Sequence, residues 1–148
     1  MNEFPLITAL TFTPLIGAVG LAALNLQNKE LARRLALGFG LVSLLMAGLL
    51  WKRFDPASVE LQFVERHAWI PTLGVQYFVG VDGLGLLMVL LSAIVVPMAI
   101  LASWKIEKNV SIYFSLVLFL QAGLFGTFTA MNFFHWFIFW ELSLVPTF

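Results

Sequence analysis

The stretch Phe133-Phe134-His135-Trp136-Phe137-Ile138-Phe139-Trp140-Glu141-Leu142-Ser143-Leu144-Val145-Pro146 sets one carboxyl in a run of aromatic and aliphatic side chains. That run is too apolar for anything but a membrane helix. If the helix starts near Phe133, a rise of about 1.5 Å per residue carries Glu141 roughly 12 Å into it. The hydrocarbon core is about 30 Å thick, so the carboxyl lies near the bilayer midplane. An ionisable group there costs several kcal/mol and usually serves an ion or proton path.

The rest of the chain reads the same way. Of 148 residues, 61% are hydrophobic and 11% charged, against roughly 25% charge in soluble domains. The formal net charge is zero, which gives no sign of nucleic-acid binding. There is no cysteine, which removes disulfides, thiolate iron–sulfur ligation and c-type haem attachment. Only two histidines occur, His67 and His135. Neither reads as deep in a helix, so paired axial haem ligation is excluded, and any redox chemistry is assigned to partner chains. The start, Met1-Asn2-Glu3-Phe4-Pro5, lacks the basic region of a signal peptide, and the first apolar run reads as a retained span.

Runs at about 5–26, 31–51, 84–104 and 112–131 each approach the ~20 residues a bilayer requires. A fifth, 133–148, is shorter and is closed by nothing polar, so the chain reads as the N-terminal part of a longer protein. The expected fold is an all-α integral membrane protein: one multi-span helical domain over 1–148 of about five helices, with an external loop at 52–80. Val59-Glu60-Leu61-Gln62-Phe63 and Val75-Gln76-Tyr77 alternate around the turn signal Pro71-Thr72-Leu73-Gly74, predicting a short external β-hairpin rather than an irregular surface loop. Lys29, Arg33, Arg34, Lys105 and Lys108 sit in the two short loops, against Lys52, Arg53 and Arg66 in the long one. This bias places the short loops inside and the N-terminus outside. Trp51, Trp69, Tyr77, Trp104, Tyr113 and Trp136 fall at span ends as an aromatic belt. Small residues at four-residue spacing (Ala122, Gly126 and Ala130; Ser43 and Ala47; Ala18 and Ala22) read as ordinary helix contacts.

Glu141 leads the candidate chemistry. Its helical neighbours Phe137, Ile138, Leu144 and Val145 offer no partner, and every lysine and arginine lies near a span end or in a loop. Burial favours the neutral carboxyl and an opposite charge favours the ion, which suits a proton carrier. The alternative is a protonated carboxyl that only joins helices. Pro146 cannot donate to the Leu142 carbonyl, and Ser143 is close in sequence, so a freed carbonyl, a hydroxyl and a carboxyl within one turn are expected to hold water on a proton path. Pro97 reads as a kink. Asp82, in Gly80-Val81-Asp82-Gly83-Leu84-Gly85, reads as a helix N-cap, with proton uptake as the alternative. His135 reads as a solvated interfacial histidine, with a proton relay as the alternative. Gln121, Thr127, Thr129 and Asn132 make the fourth span the most polar; they line the interior or bond between helices.

Two stretches, Phe78-Val79-Gly80-Val81-Asp82-Gly83-Leu84-Gly85 with the leucine-rich run after it and the Glu141 helix with its Trp140-Glu141-Leu142 core, resemble the antiporter-like membrane subunit M, or chain 4, of bacterial NADH-quinone oxidoreductase, respiratory complex I. The resemblance covers essentially the whole chain. It implies a larger protein of two inverted repeats, each with an interrupted helix. It implies that Glu141 matches a glutamate that interacts with a lysine on a later, broken helix, charge switching between them driving protons along a hydrated axis. It further implies a proton-translocating subunit with no redox cofactor of its own, NADH, FMN, iron–sulfur clusters and quinone belonging to partner subunits. Its partners would be the other complex I membrane subunits and the lipid bilayer, in the bacterial inner membrane. The alternatives are a subunit of a cation/proton antiporter or membrane-bound hydrogenase, and a structural scaffold.

Overall fold

The computed structural model describes residues 4–148. Among them lie five helices, α1 (Leu6–Leu24), α2 (Lys29–Arg53), α3 (Gly83–Ala102), α4 (Val110–Thr129) and α5 (Phe133–Thr147). An antiparallel hairpin, β1 (Gln62–Ile70) and β2 (Val75–Val81), joins α2 to α3. The protein is a multi-span helical membrane bundle: α1 to α4 are each long and apolar enough to cross a bilayer. At 15 residues, α5 rises only about 22 Å.

Successive helices alternate in direction, so the N-termini of α1, α3 and α5 gather at the hairpin end. An α-helix leaves its first N–H groups without internal partners, and side-chain oxygens meet several here. Asp82 Oδ1 accepts from Gly85 N at 2.7 Å, the cap read from the sequence. Asn132 Oδ1 accepts from His135 N at 2.8 Å. The cap of α1 comes from far away: Glu65 on β1 accepts from Ile7 N at 2.9 Å and Thr8 N at 3.2 Å. At the far end, Asn28 Oδ1 likewise accepts from Leu31 N at the start of α2, at 3.1 Å.

The hairpin starts later than the alternation from Val59 predicts. Phe63 has a left-handed φ of 54°, and the register slips between Gln62 and Glu65. Beyond that bulge Glu65 faces Val79 and His67 faces Tyr77. The turn closes through Gly74 at φ 66°, a conformation that favours glycine. Met131 N donates to Phe78 O at 2.9 Å, tying β2 to the end of α4.

Helix α4 lies at the centre, packed against the other four helices. Lipid offers no hydrophobic drive between helices, so small residues and interhelical hydrogen bonds do the joining. Ser111 and Ser115 donate to the Leu21 and Ala18 carbonyls, each at 2.6 Å. Gly123 and Gly126 let α5 approach: a Cβ at Gly123 would lie 3.0 Å from Ser143 Cα, and one at Gly126 would overlap the Phe139 ring. Ala18, Ser43, Ala47 and Ala122 are buried, whereas Ala22 faces outward. The apolar core falls into two clusters. One, at the hairpin end, includes Leu10, Leu50, Val81 and Phe125. The other, at the far end, includes Leu21, Ile100, Phe114 and Leu118.

Candidate functional site

Glu141 is the ninth residue of α5, about 12 Å along it. It is exposed, beside the exposed Trp140, Leu144 and Val145. The four ion pairs among the described residues all join Lys29, Glu30, Arg33, Arg34 and Glu107 at the far end. Glu141 therefore turns its carboxyl away from the bundle.

The structure does not bring Ser143 to it. Two residues along a helix turn through about 200°, so the two side chains point to opposite sides. Ser143 is buried against Gly123, and its hydroxyl donates to the Trp140 carbonyl at 2.7 Å. The three-group water site expected around Glu141 thus loses its hydroxyl. Pro146 stands in the last turn of α5 and withholds a donor from the Leu142 carbonyl, next to Glu141.

His135 overturns the solvated reading. It is 2% exposed, and its Nδ1 is buried with no partner among the described residues. The sequence misled because the third residue of a helix usually meets water; here the hairpin folds over it. Its ring stacks on Phe139 at 4.6 Å and lies 5.1 Å from the Tyr77 ring and 6.1 Å from Trp69.

These rings border a cleft of about 580 Å³ between the hairpin and the first turns of α1 and α5, lined also by Thr8, Glu65 and His67. Thr8 donates its hydroxyl to Glu65 Oε2, and its oxygen lies 2.8 Å from the Tyr77 hydroxyl. A hydroxyl has one proton to give. Thr8 spends its proton on Glu65, so Tyr77 is the donor to Thr8. Burial pushes the Tyr77 phenol above its ordinary value, the bond to Thr8 opposes this, and the Glu65 charge adds to it. Sequence reasoning missed Thr8, Glu65 and Tyr77 as a group, because only the hairpin register brings them together.

Among the other polar residues of α4 and its end, Thr127 and Thr129 bond to carbonyls four residues back within the helix, and Asn132 caps α5 and donates to Gln76 O. Gln121 is fully buried, and neither of its amide atoms finds a partner among the described residues.

The profile of the family "NADH-ubiquinone oxidoreductase chain 4, amino terminus" matches residues 56–127. F(420)H(2) dehydrogenase subunit M of Methanosarcina mazei is 41% identical over 97% of this chain and 29% of its own length. NAD(P)H-quinone oxidoreductase chain 4 3 of Picosynechococcus sp. is 33% identical over 99% of this chain and 27% of its own length. A chain of respiratory complex I from Thermus thermophilus with bound NADH superposes with a TM-score of 0.76 at 23% identity, over 95% of this chain and 27% of that one; this likeness shows the shared fold. The chain spans under a third of the length of the curated relatives it matches. Within that span the resemblance to chain 4 and subunit M proteins runs nearly end to end.

Proposed function

We propose that this chain is the amino-terminal part of a proton-translocating membrane subunit of an NADH:quinone oxidoreductase, with Glu141 as its proton-carrying carboxyl. The observation that carries the reading is the placement of Glu141. It sits about 12 Å into an apolar helix, on a face that this bundle leaves open. A carboxyl facing lipid there costs several kcal/mol. A further protein segment bearing a cation or hydrogen-bond donors therefore covers this face, as the resemblance to subunit M implies. An opposite charge that comes and goes switches the carboxyl between its ionised and neutral forms.

Electron transfer belongs to other chains, which would hold NADH, FMN, iron–sulfur clusters and quinone, and the partners are membrane subunits of the same complex in the bilayer. The relatives' names carry different electron donors, which fits a subunit that handles protons and leaves the donor to its neighbours. The location is the bacterial inner membrane, with hairpin and N-terminus outside. Lys29, Arg33, Arg34, Lys105 and Lys108 are at the end away from the hairpin, and their positive charge supports assigning that end to the inside.

The test is Glu141→Gln in the complete parent protein, assembled in its complex and followed in inverted membrane vesicles. Native gels check assembly. The expected result is collapse of NADH-driven acidification with electron transfer to an artificial acceptor unchanged. Normal pumping would refute the reading.

A further inference from the structure

The hydrogen bonds at the hairpin end form a directed chain, Tyr77 to Thr8 to Glu65, each group on a different element: β2, α1 and β1. Behind Tyr77 lies the buried imidazole of His135 on α5, its Nδ1 without a partner among the described residues, and both rings border the same cleft. From this geometry we propose that His135, Tyr77, Thr8 and Glu65 form a proton relay between the bundle interior and the water over the hairpin. The proposal rests on the proton-translocation reading above and names its outer terminus.

The step balances as a concerted shift. Thr8 passes its hydroxyl proton to the Glu65 carboxylate while Tyr77 passes its own to Thr8. Tyr77 is refilled from His135 through one water in the cleft, which has volume for it. One proton thus leaves His135 toward the cleft and one appears on Glu65, and a proton taken up at the other imidazole nitrogen from water on the interior side restores neutral His135. Glu65, only partly buried beside the exposed His67, then releases it to water, and the hydroxyls rotate back. Imidazole suits the inner end because it takes a proton at one nitrogen and gives one from the other. The raised Tyr77 phenol fits transit rather than storage, since the ring never needs to rest as phenolate.

A latch offers a competing account: Glu65 caps α1 and thereby pins the hairpin. Hydroxyl-specific variants separate the two. In the complete protein within its assembled complex, Tyr77→Phe keeps the ring and removes the hydroxyl. Thr8→Val removes the hydroxyl at constant shape, and Thr8→Ser restores it. Positioned proton-transfer groups contribute on the order of 10²–10⁴-fold; with water as a partial substitute, about a tenfold loss of donor-driven acidification is expected from Tyr77→Phe and Thr8→Val. Thr8→Ser should pump normally, and artificial-acceptor reduction should hold in all three. Normal pumping by Tyr77→Phe and Thr8→Val overturns the relay, as does a Thr8→Ser defect equal to that of Thr8→Val. If Tyr77→Phe fails to assemble on native gels, the Thr8 pair decides. Glu141→Gln run alongside keeps the two ideas apart. If it alone stops pumping, the relay falls and the translocation reading stands; if it pumps normally, the translocation reading falls.

Discussion

Gly126→Ala should loosen the seat of α5. A Cβ at Gly126 would overlap Cγ and Cδ1 of Phe139. Those atoms are the root of the ring, so rotating its tip gives no relief, and the α4 and α5 backbones must separate. Overpacking of this kind costs about 1–3 kcal/mol. Alanine also gains about 1 kcal/mol of helix propensity over glycine, which would blur the result. Gly38→Ala supplies the reference: it lies inside α2 with nothing within 4 Å of its Cβ position, so it takes the gain without the clash. The difference between the two variants should be about 1–3 kcal/mol, or roughly 5- to 140-fold in the unfolding equilibrium at 1.4 kcal/mol per decade. Reversible SDS unfolding of the complete protein in mixed micelles reads it, followed by tryptophan fluorescence, since Trp136 and Trp140 are on α5. Equal stability of Gly126→Ala and Gly38→Ala would mean that α5 does not seat against Gly126.

Ser115→Ala removes the bond to the Ala18 carbonyl. It should cost about 0.6 kcal/mol, the average for hydrogen bonds between membrane helices, and no more than about 1.7 kcal/mol, in the same assay. Asp82→Ala should destabilise the start of α3 by about 0.5–2 kcal/mol; faster hydrogen exchange at Gly85 N would report it, and Asp82→Asn should leave exchange nearly unchanged. At the far end, the hydrogen bond from Lys29 and the Lys29 charge hold the exposed Glu107 carboxyl below its ordinary value. A carboxyl lowered in the folded state contributes above its unfolded pKa and loses that contribution as pH falls through the folded one. Carbon-detected NMR of Glu107 should therefore show titration below 4.5, moving upward in Lys29→Ala.

The helices were legible because each is an apolar run of the length a bilayer demands, and Asp82 was legible as a cap because capping is local in sequence. The hairpin was visible as alternation around Pro71-Thr72-Leu73-Gly74. Its register was not, because the bulge at Phe63 depends on what β1 pairs with. That register moves Glu65 onto the N-terminus of α1, more than fifty residues away in the chain. Everything at the hairpin end follows from it: Thr8 and Tyr77 become a hydrogen-bonded pair, and His135 is covered instead of wet. No periodicity in α5 alone reports a lid supplied by another element.

The two sides of α5 divide the labour in a way that sequence proximity conceals. Ser143 and Phe139 press into the glycines of α4, whereas Glu141 points outward with Trp140 and Val145. Groups without shared partners act nearly additively. Filling Gly123, where a Cβ would meet Ser143 at 3.0 Å, should therefore change how firmly α5 is held without changing what Glu141 does, and Glu141→Gln should do the reverse. A combined Gly123→Ala, Glu141→Gln variant should show the stability of the first and the pumping of the second. Strong non-additivity would mean that packing against α4 sets the environment of the carboxyl from inside the bundle, rather than the segment proposed to cover its outer face.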